Sequence, residues 1–122
     1  MKVKQKGLIS LAALVLSSAT YATDLLATRH YEFEPNQGKV LTNPFLWQLT
    51  MTCTLSTQDE KSSLTAHMLK YTGIVNNHVL KEGEEVSLDI KDQDTLNISV
   101  DGSAQVEITN HGASVITADC EL

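Results

Sequence analysis

The sequence predicts an all-β protein, an antiparallel Ig-like β-sandwich of seven to eight strands held by one disulfide. Three observations carry this expectation. Apolar and polar residues alternate with period two through most of the chain after residue 43, as they do in strands with one buried and one wet face. Turn-forming residues recur roughly every ten positions, a spacing that suits short antiparallel strands rather than βαβ units. Only two cysteines are present, Cys53 and Cys120, and they follow an amino-terminal segment laid out for export. In an oxidising compartment such a pair reads as a disulfide.

The export segment has three parts. Lys2, Lys4 and Lys6 form a positive region, Leu8 to Leu16 is mostly apolar, and small residues follow up to Thr20-Tyr21-Ala22. Cleavage is expected after Ala22, with Ser17-Ser18-Ala19 also fitting the small-residue rule. The apolar run is too short for a membrane anchor, which needs roughly 20 apolar residues. This divides the chain into a signal peptide (1–22), a leader with a candidate first strand and a loop (23–42), and a sandwich domain (43–122). The mature protein is expected to be secreted or periplasmic.

The elements follow in order. His30 to Glu34 alternates, with Tyr31 and Phe33 on one face. Pro35 to Pro44 contains Asn36, Gly38 and Asn43 and reads as a loop. Trp47 to Leu55 is the strongest strand, with Trp47, Leu49, Met51, Cys53 and Leu55 on the buried face and Gln48, Thr50, Thr52 and Thr54 on the wet one. Leu64 to Tyr71 fits a helical stripe or a strand, and its strand neighbours favour strand. Asn76-Asn77 reads as a type I′ hairpin turn, because Asn tolerates the two positive φ angles that turn needs, and it sets Ile74 opposite Val79.

The last third reads as a β-meander. Val86-Leu88-Ile90, Leu96-Ile98-Val100 and Ala104-Val106-Ile108 all sit at even positions. Hairpin partners share a face, so the numbers of a pair must sum to an even number to set apolar against apolar. Ile90 with Leu96 and Val100 with Ala104 satisfy this. A two-residue Asp101-Gly102 turn does not. Ile116, Ala118, Cys120 and Leu122 alternate to the carboxyl terminus, where the disulfide is expected to tie an edge strand to the centre.

Charge narrows the function. Of nine basic side chains, three lie in the signal, so six basic and fifteen acidic groups remain, a mature net charge of −9. Nucleic acid and anionic membrane surfaces repel such a chain. No nucleophile motif is present, and five mature aromatics give little wall for a deep sugar cleft. The chain is therefore read as no enzyme, with no cofactor. His30, His67, His78 and His111 show no metal-ligand spacing. Asp89, Asp92, Asp94 and Asp101 lack the EF-hand pattern and read as turn residues. Asn97-Ile98-Ser99 is a glycosylation sequon that matters only in a eukaryotic source. Trp47 is expected in the core beside Cys53 and Met51. Tyr31, Phe33 and Phe45 flank the 35–44 loop and are the candidate binding residues.

Two runs carry a resemblance. Asn43-Pro44-Phe45-Leu46-Trp47 through Thr52-Cys53-Thr54, and Val106 to Gly112 through Ala118-Asp119-Cys120, together resemble small exported proteins of Legionella-type intracellular bacteria over residues 43–122. The resemblance implies a secreted or envelope protein, in the manner of type II secretion substrates that act on hosts. It brings no catalytic residues. The expected function is an exported, non-enzymatic, monomeric binding module that engages a protein or glycan through loops or a sheet edge. The alternatives are a secreted enzyme inhibitor using the 35–44 loop, and a fimbria-like assembly subunit.

Overall fold

The computed structural model describes residues 23–25 and 30–122; the export segment and its cleavage site lie outside the described residues. The described residues form a β-sandwich of eleven strands: β1 (Thr23–Leu25), β2 (His30–Phe33), β3 (Gly38–Thr42), β4 (Leu49–Thr57), β5 (Ser62–Lys70), β6 (Gly73–Val75), β7 (His78–Leu80), β8 (Glu85–Ile90), β9 (Thr95–Val100), β10 (Gln105–Asn110) and β11 (Ile116–Glu121). One sheet has the order β2-β11-β4-β9-β6-β7, the other β1-β3-β10-β5-β8. All pairings are antiparallel except that of β1 with β3.

Alternation builds the core. Met51, Cys53 and Leu55 of β4 point inward, as do Leu64, Ala66 and Met68 of β5, so the ambiguous 64–71 segment is a strand. From the last third, Leu88, Ile90, Leu96, Ile98, Val100, Ala104, Val106 and Ile108 are buried, and Val86 packs against them. Cys53 and Cys120 are bonded, S–S 2.02 Å.

The strand count exceeds seven to eight because short pieces pair that alternation alone does not flag. β3 lies inside the segment read as a loop. Its Thr42 to Gly38 pair Gln105 to Thr109 of β10, so much of the 35–44 stretch is sheet and not the loop expected of it. β2 pairs β11 and β3 pairs β10, so the sandwich includes residues before 43.

The meander is also corrected. β8 pairs β5 in the five-stranded sheet, with Ile90 opposite Ser62, while β9 pairs β4 and β6 in the other. β10 returns to the five-stranded sheet and β11 to the six-stranded one. Each connection arches over the sandwich edge instead of closing a hairpin. The even-number rule cannot separate the two, because it only requires both strands to face the same core, and strands on opposite sheets do so as well.

The disulfide sits within one sheet. Cys120 and Cys53 are direct cross-strand partners, Cα atoms 3.9 Å apart, on β11 and β4. β11 is not an edge strand, since β2 covers its far side. The 76–77 turn does form, with Asn76 and Asn77 at φ 45° and 70° and Ile74 opposite Val79. That apolar pair faces solvent rather than the core.

Candidate functional site

The loops gather at two ends. β4 starts at one end with Leu49, and β9 reaches the same end with Val100, its register partner. The connections 43–48, 71–72, 81–84 and 101–104 therefore cluster there. Loops 34–37, 58–61, 91–94 and 111–115 cluster at the other end.

The first end carries the exposed aromatic residues. β4 begins at Leu49, so Trp47 lies off the strand. It is 63% exposed and Leu46 is 86% exposed, which corrects the core placement expected for Trp47. Leu46 and Trp47 are adjacent large apolar residues, and a strand cannot send both to one face. That break in alternation was the signal available in the sequence. Phe45 is half-buried and stacks on Trp47, ring centroids 4.9 Å apart at 16°. Tyr71, with φ 62°, is 48% exposed on the neighbouring turn.

A buried Asn fixes this loop. Asn43 is fully enclosed. Its Nδ2 donates to the Trp47 and Asp101 carbonyls, both at 2.9 Å, and its Oδ1 accepts from the Phe45 amide at 3.0 Å. The Asn43 amide donates to Ala104 O and the Ser103 amide to Phe45 O. Gly102 lies so close that a Cβ there would sit 2.3 Å from Leu46 O, in contact with backbone. The 71–72 turn joins the same neighbour: the Asp101 amide donates to Thr72 O, and the Thr72 hydroxyl donates to the Asp101 carboxylate. The Tyr71 amide donates to Glu82 Oε1 at 3.1 Å. Trp47, Leu46 and Tyr71 thus project from loops anchored to one another through residues 101–103.

Of the three sequence candidates, Phe45 alone belongs to this site. Tyr31 and Phe33 are each 1% exposed and stack on one another inside the core, their rings 6.2 Å apart. β2 pairs β11, which sets Tyr31 against Ala118 and Phe33 against Ile116, and alternation turns both inward. They are core residues, which corrects the exposed placement beside the 35–44 loop expected of them.

The histidines are dispersed. His30 Nδ1 lies 2.7 Å from Asp119 Oδ1, and its Nε2 lies 3.6 Å from Glu32 Oε2, on the open face of the six-stranded sheet. The hydrogen bond to Asp119 raises its pKa above the ordinary value, with Glu32 assisting. His111 Nε2 meets Thr65 Oγ1 at 2.6 Å. Among the described residues, no group of three or more His, Cys, Asp or Glu side chains converges as a metal site would require. No helix among them is long and apolar enough to cross a membrane.

No protein-family model, no curated protein and no solved structure matches this chain.

Proposed function

We propose that the chain is an exported binding module that docks onto a protein partner through its Phe45-Leu46-Trp47 loop and Tyr71. The observation that carries this reading is a tryptophan held mostly in solvent by a buried asparagine. Trp47 covers one face of its ring with Phe45 and leaves most of its surface in solvent, and loops held by a rigid scaffold are where binding residues concentrate. Trp and Tyr dominate the energetic centres of protein interfaces, where fixed aromatic side chains lose little entropy on docking. Phe45 covers one face of Trp47 and Leu46 stands beside it. That ridge suits an apolar pocket on a protein better than a flat sugar platform.

The disulfide is compatible with an oxidising compartment. Together with the segment 1–22 it supports release to the periplasm or beyond. The likeness to exported proteins of Legionella-type bacteria adds the expectation of an envelope or host partner.

A photo-crosslinking residue placed at Leu46, compared with one at Ser87 on the exposed face of β8, tests the reading in envelope and host extracts. Discrete crosslinked species are expected from position 46 only, and they should vanish in Trp47→Ala protein that melts like wild type. Identical crosslinks from both positions would remove the aromatic loop from consideration.

A further inference from the structure

The opposite end of the sandwich holds a cleft of about 570 Å³, lined by Ser56, Thr57, Gln58, Asp92, Ser114, Val115 and Thr117. We infer that this cleft is a binding site for a neutral sugar, separate from the aromatic loop. The inference rests on three features: fixed walls, the chemistry of the lining, and its continuity with a hydroxyl-bearing sheet face.

The walls are pinned before any ligand arrives. Asp59 ties loop 58–61 to loop 111–115. Its Oδ2 accepts from the Ala113 and Ser114 amides at 3.0 and 3.1 Å, and its Oδ1 accepts from the Ser114 hydroxyl at 2.8 Å. These bonds, led by the Ser114 hydroxyl, hold the Asp59 carboxyl below its ordinary range. The third wall, loop 91–94, is bonded to β4: the Leu55 amide donates to Asp94 O, and the Gln93 amide donates to Leu55 O. Asp92 Oδ1 accepts the Thr57 amide at 3.0 Å. Buried Asn110 closes the base of the 111–115 loop, donating to Phe33 O and Ser114 O and accepting from the Gly112 amide. A pre-formed concave site of this volume is within the range of small-molecule pockets.

The lining selects the ligand class. It carries the Ser56 and Thr117 hydroxyls, one carboxamide and one carboxylate around Val115, with no cationic side chain; the Ser114 hydroxyl already donates to Asp59 and the Thr57 hydroxyl accepts the Asp59 amide. An anionic ligand meets Asp92 with no compensating charge. An ammonium ligand only donates, so the Gln58 amide and the hydroxyl protons would find no acceptor on it. A neutral polyol both donates and accepts at each hydroxyl, as Ser, Thr and Gln do. Its C–H face has Val115 to rest on.

The cleft also opens onto a surface of the same chemistry. Ser56 and Thr117 are cross-strand partners on the outer face of the six-stranded sheet. That face continues through Thr54 beside Thr95, Thr52 beside Asn97, and Thr50 beside Ser99. The last pair shares a hydroxyl–hydroxyl hydrogen bond at 3.1 Å. A sugar chain seated in the cleft would thus find further hydroxyl partners along the strands.

Amide shift mapping of the oxidised protein tests this, using glucose, galactose, mannose and N-acetylglucosamine, with sialic acid as the charged control. At least one neutral sugar should give saturable shifts at residues 56–58, 92 and 114–117, with the Trp47 indole signal unmoved. Asp92→Asn keeps an acceptor for the Thr57 amide but loses the charge, and it should weaken binding about tenfold. Thr117→Val keeps the shape of the strand and should weaken it as well. Shifts from sialic acid alone, shifts confined to residues 45–47, or no saturable shift from any sugar would each overturn the inference. Because the aromatic loop is read out separately, either site can fail while the other stands.

Discussion

Asn43 and Asn110 perform the same task at opposite ends of the sandwich. Each accepts from the amide two residues on and donates to the carbonyl four residues on, Trp47 and Ser114 respectively. Each also donates to a distant loop or strand, Asp101 O or Phe33 O. Buried polar groups are tolerated when satisfied in this way, and each orients one of the two proposed binding ends. In the sequence both residues look like ordinary turn asparagines, because the second donor bond joins residues 58 and 77 positions apart. A single exposed contact is easier to test. His30 holds Asp119 across the β2–β11 pair, and its pKa is raised. A raised folded value means the contact stabilises fully below the unfolded pKa of about 6.5 and is lost as pH climbs through the folded value. An NMR titration should find His30 losing its proton at higher pH than that ordinary value, and Asp119→Asn should return it toward the ordinary value. A His30 titration unchanged by Asp119→Asn would show that the pair does not persist in solution.

At the scale of the strand, period-two alternation was legible and partnership was not. Faces are decided locally, by which side chains avoid water, so the buried sets of β4, β9, β10 and β11 could be read from spacing. Partners are decided by chain reversal. An arch and a hairpin leave Ile90 and Leu96 equally inward, so the β8–β9 connection could not be told from a hairpin. Short strands without alternation, such as β3 among Pro, Gly and Asn neighbours, left no periodic signal. The aromatic site was half legible: Phe45 lies in it, while Tyr31 and Phe33 were drawn inward by β2 pairing that depends on a strand 80 or more positions away. The face assignment makes a quantitative prediction on β9. Ile98 is buried between Met51 and Val75, its partners on either side. Ile98→Ala should cost roughly 2–5 kcal/mol, and Asn97→Ala, on the wet face, no more than about 0.5 kcal/mol. Denaturant melts that gave the two variants equal losses would place β9 in the wrong phase.

For the whole molecule, the disulfide decides how much of the chain is constrained. Cys53 and Cys120 are 67 positions apart, and the loop they close contains β5 to β10 with parts of β4 and β11. β1, β2 and β3 lie outside it. The closed loop therefore supplies strands to both sheets, β5, β8 and β10 to one and β6, β7 and β9 to the other. Chain entropy for a loop of this length amounts to about 4 kcal/mol. A small domain has only about 5–15 kcal/mol of stability in all, so losing the bridge removes a large share of it. The two cysteines face one another on neighbouring strands already zipped together, so the folded state can keep its register without the bond, and the loss should fall on the unfolded ensemble. Replacing both cysteines by alanine should lower stability by roughly 2–5 kcal/mol while leaving the native amide spectrum of β9 and β10 recognisable. Intact mass after alkylation without reductant should show neither thiol modified. Modification of both would mean that the bond does not form in solution, and an unchanged denaturation midpoint in the double variant would mean that it adds nothing to stability; either result would take away the structural support for an oxidising compartment.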